Sequence, residues 1–235
     1  MPETEAGPQR RKKSVWAQKA FAWFLHAGNR LMRDVPPGRK ERLFDMLSGR
    51  VLEIGPGAGA NIPLYPENTT IIGVEPNRFM FRYLREEARE SRRTLHIVNG
   101  RAEALGLRND SVDAIVCTHV LCSVDDLETA LRELLRVLKP GGLFVFLEHV
   151  AAPRATGLRF FQRILRPGWQ KGGDGCRLDR EVWRSLEQAG FEGLTYDHFR
   201  VPWAILVSPH IVGSAIKAPI SPPTESRSMG VSRVK

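Results

Sequence analysis

The sequence is poor in cysteine, with three residues among 235: Cys117, Cys122 and Cys176. Three thiols cannot build a disulfide framework, and none of them stands in a C-x-x-C pair. A reducing, cytoplasmic setting is therefore expected, and no metal site is. Long hydrophobic runs are also missing. No stretch reaches the roughly 18 uninterrupted apolar residues that span a bilayer, and the first residues lack the charged-then-apolar pattern of a secretory leader. No Walker-type lysine follows the glycines at 55–59, which argues against a nucleoside-triphosphate enzyme. Acidic residues are in the minority, 26 against 35 basic ones, for a formal net charge of +9. Such a balance can draw a chain toward nucleic acid or anionic lipid. No aromatic-plus-basic RNA-binding motif accompanies it, so nucleic acid is not an expected partner. Nothing points to an obligatory protein partner.

What is present suits a soluble α/β domain with extensions: 42% of residues are hydrophobic and 26% charged. Residues 1–13 read as a flexible basic leader ending in Arg10-Arg11-Lys12-Lys13. Ser14 is an apt N-cap for a helix over Val15–Met32, carrying Trp16, Phe21, Trp23 and Phe24. That helix packs on the domain, lids a pocket, or lies on a membrane surface with its basic flanks. Pro36-Pro37-Gly38 breaks it, and Arg39–Ser48 forms a second helix closing a helical region over 14–48. From 49 to 150 strands alternate with helices: Val51–Ile54, Ile71–Val74, Leu95–Val98, Val112–Thr118 and Leu143–His149 are strands, with helices at Arg78–Ser91 and Leu127–Leu138. This rhythm predicts parallel βαβ units with ligands at the carboxyl ends of the strands. Residues 151–217 add a basic helix (Arg154–Arg166), a glycine-rich loop (Lys171–Gly175), a helix capped by Asp179 and running to Ala189, and extended stretches at Gly193–Phe199 and Trp203–Lys217. Residues 218–235 read as a disordered tail.

The chemistry concentrates at the strand ends. Gly55, Gly57 and Gly59 follow the first strand and allow a sharp turn with close backbone approach to a ligand. Glu53 beside that turn disfavours a phosphate and favours an ammonium or sulfonium. Glu75 ends the second strand, where an acid can accept hydrogen bonds from two ribose hydroxyls. In order, Glu53-x-Gly55-x-Gly57-x-Gly59, Glu75, Ser111-Val112-Asp113 and Lys139-Pro140-Gly141-Gly142 resemble the class I S-adenosylmethionine-dependent methyltransferases. The resemblance implies a Rossmann-like α/β fold, with a mostly parallel seven-stranded sheet flanked by helices and an antiparallel C-terminal strand. It implies S-adenosylmethionine as cofactor, bound by Glu53, Gly55, Pro56, Gly57, Gly59, Asn61, Glu75, Pro76, Arg101, Ala102, Glu103, Thr118 and His119. Arg101 stands where many members carry an aspartate at the adenine edge, so Ala102 backbone or Glu103 would serve there.

Strings outside those shared motifs are more specific. Val116–Val124, Glu148–Ala152, Asp174-Gly175-Cys176 and Pro209–Gly213 resemble the methyltransferase-like protein 7 group of alkyl thiol S-methyltransferases, over Asn29 to Lys217. That group begins with a hydrophobic anchoring segment; this chain begins with a polar, basic one, so contact with membranes is expected to be peripheral, through the N-terminal helix. The implied substrate is a small thiol. Its thiolate would attack a sulfonium methyl in line, helped mainly by alignment and exclusion of water. His149, His119 and Asp174 are the polar candidates for handling the proton, His149 first because it follows the fifth strand. The rival readings are an N- or O-methyltransferase of a lipid headgroup, quinone or natural product, and a cofactor-binding module without catalysis.

Overall fold

A computed structural model describes residues 14–29 and 38–219. The basic leader, the Pro36-Pro37 break and nearly all of the tail lie outside them. Seven strands form one sheet: β1 (Gly49–Ile54), β2 (Thr69–Val74), β3 (Thr94–Val98), β4 (Val112–Thr118), β5 (Leu138–His149), β6 (Glu192–Arg200) and β7 (Pro209–Ile216). Their order is β3-β2-β1-β4-β5-β7-β6. β1 to β5 pair in parallel, and β7 runs antiparallel to both β5 and β6. The order reverses between β1 and β4, which opens a crevice at their carboxyl ends.

The central strands are mostly apolar because both faces are covered. Successive residues alternate between two cores. Leu52, Ile54, Ile72 and Ile115 join the layer under α4 (Leu127–Val137) and α6 (Val182–Gln188). Val51, Ile71, Ala114 and Val116 join the layer under α1 (Val15–Ala27), α2 (Arg39–Phe44) and α3 (Phe81–Glu90). Asp126 caps α4 by accepting the Thr129 N–H at 3.1 Å.

Several boundaries differ from the sequence reading. Ser14 does cap α1, accepting the Ala17 N–H at 3.1 Å, but the helix stops at Ala27. Gly28 closes it, and the Asn29 amide then donates to the Ala58 carbonyl, turning the chain onto the glycine loop. β5 begins at Leu138 because that residue already pairs with Val112; Lys139–Gly142 bulge out before Leu143 resumes opposite Ala114. α5 (Gly157–Gly172) runs past Arg166 into the predicted glycine-rich loop. Pro167 is tolerated there because it lies on an exposed face, where the freed carbonyl meets water. Asp179 caps nothing: it pairs with Arg166 at 3.3 Å, and Glu181 holds the position before α6. The stretch from Trp203 is interrupted by a 3-10 turn at Ile205–Val207 before β7.

Gly213 sits mid-β7, opposite Phe146 on one side and Tyr196 on the other. A Cβ there would lie 2.1 Å from the Thr195 carbonyl and 2.8 Å from the Tyr196 Cα, both backbone atoms that cannot swing away. Gly213→Ala is therefore expected to destabilise at the upper end of the roughly 1–3 kcal/mol typical of overpacking. A thermal melt matching the parent protein would show that the β6–β7 ribbon shifts freely.

Candidate functional site

The turn leaving β1 is held by a backbone carbonyl of β2 and by the carboxylate that follows it. Gly55 donates its N–H to the Val74 carbonyl at 2.8 Å and takes φ +57°. A Cβ on Gly55 would come within 2.8 Å of Val120. Gly57, also left-handed, donates its N–H to Glu75 at 3.0 Å, and the Asn77 N–H reaches the other carboxylate oxygen at 2.8 Å. Glu75 is buried and lines a cavity of about 410 Å³ at the crevice. A carboxylate oxygen can accept more than one hydrogen bond, so this group is of the right kind to take ligand hydroxyls. Pro56, Gly57, Asn61 and Pro76 border the same cavity. Gly59 does not; its missing side chain makes room for Glu87 and Ile62.

Glu53 also stands off the cavity, contrary to the expectation of a direct contact. It is fully buried and accepts hydrogen bonds from the Asn61 amide at 2.6 Å and the Tyr65 hydroxyl at 2.9 Å. Burial raises the Glu53 carboxyl above its ordinary range, against the pull of both donors. Asn61 also donates to Thr118 Oγ1 at 2.8 Å, which fixes its flip. Its buried Oδ1 has no partner among the described residues and stands beside the cavity. An ammonium group would satisfy that acceptor, so Glu53 acts on a ligand through Asn61.

At the far edge, Ala102 and Glu103 line the cavity. Arg101 pairs with Glu103 at 3.2 Å and Asp125 at 2.5 Å, and Glu103 accepts the Asp125 N–H at 2.8 Å. Arg101 thus ties the loop after β3 to the one before α4. The Asn99 amide closes the same edge by donating to the Glu75 carbonyl at 3.0 Å.

The other end is dominated by three histidines and two cysteines. His119, at φ +58°, leaves β4 and stacks edge-on with His210 of β7; His149 lies 6.0 Å from that same ring. Burial drives His119 well below the usual histidine range and His210 down to about 4, so both are neutral at pH 7. The Nε2 atoms of His119 and His149 are buried without partners among the described residues, and the Trp169 indole lies beside Cys176. All four residues line the cavity. His149 Nδ1 faces Cys176 Sγ at 3.6 Å. A hydrogen bond from Cys122, with His149 beyond it, draws Cys176 down to about 5, while Cys122 is pushed well above the usual thiol range. Asp174 also borders the cavity, in a left-handed conformation (φ +52°) that aspartate tolerates.

Glu148 was read only as part of a string, yet it builds this end. Its fully buried carboxylate accepts the N–H groups of Val120 and Leu121 at 2.9 Å and of Cys122 at 3.3 Å. Burial pushes Glu148 up to about 7 despite those three donors. Cys117 points into the core from β4, and Trp183 packs against that core, whereas Trp169 walls the cavity. Cys122 and Cys176 were expected to make no metal site. The fold nevertheless brings their sulfurs and a His149 nitrogen within 4.8 Å of one another. Motif spacing could not reveal this, because the three come from separate loops and strands.

The remaining wall is largely apolar. Phe21, Phe24 and Leu25 of α1 and Val201, Trp203 and Val207 supply much of it, with Asn29, Lys40 and Ser123 as polar members of the same lining. Leu25 lies over Gly57, and Asn77 donates to the Gln18 carbonyl at 3.0 Å, so α1 covers the glycine loop.

Comparison with known proteins agrees with this geometry. Residues 52–146 match the family described as a methyltransferase domain. The human thiol S-methyltransferase TMT1A is 38% identical over 85% of this chain and 87% of its own length. The rat thiol S-methyltransferase TMT1B is 40% identical over 71% and 70%. In fold, a crystal structure of an S-adenosylmethionine-dependent methyltransferase from Thermotoga maritima superposes with a TM-score of 0.63 at 23% identity, covering 87% of this chain and all of that one.

Proposed function

The chain belongs to the thiol S-methyltransferase family, and from that footing we propose that it moves the methyl group of S-adenosylmethionine to the sulfur of a small, apolar thiol. One observation carries the reading to this chain's own residues. A single cavity runs from Glu75 and the glycine loop to His149, walled largely by apolar side chains. S-adenosylmethionine, when bound, supplies an electrophilic methyl on a sulfonium.

The protein's residues fit that cofactor. Glu75 would hold the ribose hydroxyls, Asn61 Oδ1 the ammonium, and Ala102 with Glu103 the adenine edge. The apolar wall excludes water, which strengthens alignment of acceptor sulfur and methyl. His149 is the proposed recipient of the acceptor's proton through its unpartnered Nε2, with Cys176 beside Nδ1 deciding which nitrogen is free. His119 is less suited because it is held neutral by burial beside His210, and Asp174 lines the same end as a polar neighbour. Incubating the protein with S-adenosylmethionine and matched alkyl thiols, amines and phenols tests the reading. Methyl thioether from the thiols alone supports it; transfer to amines or phenols but not thiols would sink it.

A cytoplasmic setting with peripheral membrane contact belongs to the same proposal. No described helix is long and apolar enough to cross a membrane. Trp16 (82% exposed), Trp23 and Phe24 on α1, Phe160, Phe161 and Ile164 on α5, and Ile205 (73%) stand in water. Aromatic and aliphatic residues of this kind, with basic neighbours, suit the lipid headgroup boundary. Phe160→Glu with Ile164→Glu should lower flotation with anionic vesicles while activity on soluble thiols persists. Deleting residues 1–28 should instead reduce methyl transfer, because α1 covers the glycine loop. Unchanged flotation and unchanged activity in both variants would remove both roles.

A further inference from the structure

We propose that Cys122, His149 and Cys176 bind one zinc-class divalent ion whose fourth position opens into the cavity and takes the acceptor's sulfur. The three donor atoms lie within 4.8 Å of one another, and all three residues line the cavity. Tetrahedral zinc, with bonds of about 2.3 Å to sulfur and about 2.0–2.1 Å to nitrogen, sets those two ligands about 3.6 Å apart. Cys176 Sγ and His149 Nδ1 are separated by 3.6 Å. Two thiolates and an imidazole form a borderline-soft donor set, suited to zinc and poorly suited to magnesium or calcium.

The supporting framework is rigid without an ion. Glu148 clamps the turn that carries Cys122 by three backbone hydrogen bonds. The Arg177 N–H donates to the Cys122 carbonyl at 3.0 Å, which ties the loop of Cys176 to that turn. His149 is fixed in β5 opposite His210. Three protein ligands with one open position is the arrangement of a reactive zinc site, since structural sites are closed by four.

The ion's role rests on the thiol reading above; its binding does not. With the ion bound, the acceptor's sulfur bonds the metal and its proton is released to solvent; the His149 Nε2 takes that proton only in the ion-free protein. The sulfur then attacks the methyl carbon, the carbon–sulfonium bond breaks, and its electron pair stays on the cofactor's sulfur. The product thioether is neutral and a weaker ligand than a thiolate, which favours its departure.

The test uses the full chain, kept reduced with a phosphine, loaded with Zn²⁺ and cleared of loose ion. About one zinc per chain is expected by elemental analysis. With Co²⁺ in its place, a thiolate-to-metal absorption band should appear, and should shift on adding a small alkyl thiol but not the matching alcohol. Cys122→Ser with Cys176→Ser should weaken ion binding by more than about 100-fold while Cys117 remains. Cys176→Ser alone, on the half-buried loop, serves if the double variant fails to fold. No ion retained by the parent protein, or equal retention by a folded variant, overturns the site. Thiol methylation by protein that binds no ion overturns the site alone; ion binding without thiol methylation supports the site and tells against the acceptor.

Discussion

Glu75→Ala is expected to weaken S-adenosylmethionine binding by more than tenfold while leaving the sheet folded. The carboxylate would accept two charge-assisted hydrogen bonds from the ribose, at roughly 1.5–3 kcal/mol apiece before compensation. Since about 1.4 kcal/mol is a factor of ten in affinity, loss of one such bond already reaches that size. The same carboxylate accepts the Gly57 and Asn77 N–H groups, so its removal also loosens the glycine loop. Gly55→Val should do more damage. Its backbone is left-handed and its Cβ would press on Val120 at 2.8 Å, so the turn itself must move. Gly57→Val meets only ordinary contact with Leu25, and its penalty comes from φ +58°. Calorimetric titration checks the series; an unchanged dissociation constant for Glu75→Ala would take that residue out of the ribose role.

His149→Ala carries the second large effect, on turnover and not on cofactor affinity. A well-positioned proton acceptor commonly contributes about 10²–10⁴-fold, and His149 lies at the opposite end of the cavity from Glu75. With a chelator present, so that no ion occupies the cysteine cluster, kcat/KM for a simple alkyl thiol should fall within that range at pH 7. The dissociation constant of S-adenosylmethionine should stay close to the parent value. A free thiol titrates near about 8.5, so raising the pH supplies thiolate without help. The deficit should therefore shrink at alkaline pH and with more acidic thiols. A loss of equal size at every pH would assign His149 to positioning alone.

Much of this molecule was legible from period and punctuation. Short apolar runs located β1, β2 and β4, the first of them followed by a glycine turn, and Glu75 was marked by its place after the second strand. The family resemblance also implied the antiparallel β7. What escaped had its cause in three dimensions. Glu53 looked like a ligand because it abuts the turn, but side-chain alternation sends it to the face shared with Val51, behind Asn61. Glu148 carries no local sign that its partners are amides in the loop after β4. The convergence of Cys122, His149 and Cys176 depends on β4 and β5 lying side by side and on the loop after α5 folding back across them. The start of β5 at Leu138 and the passage of α5 through Pro167 were set by pairing and exposure, which override local propensity.

The central claim concerns which atom receives the methyl group, and one acceptor can answer it. An alkyl chain with a thiol at one end and an amine at the other, offered with S-adenosylmethionine, presents both nucleophiles to the same cavity. Mass spectrometry with fragmentation locates the methyl in the product. The account predicts methyl on sulfur, with the amine untouched and the yield lost in Glu75→Ala at low cofactor. Methyl on nitrogen, with the thiol left free, would contradict it.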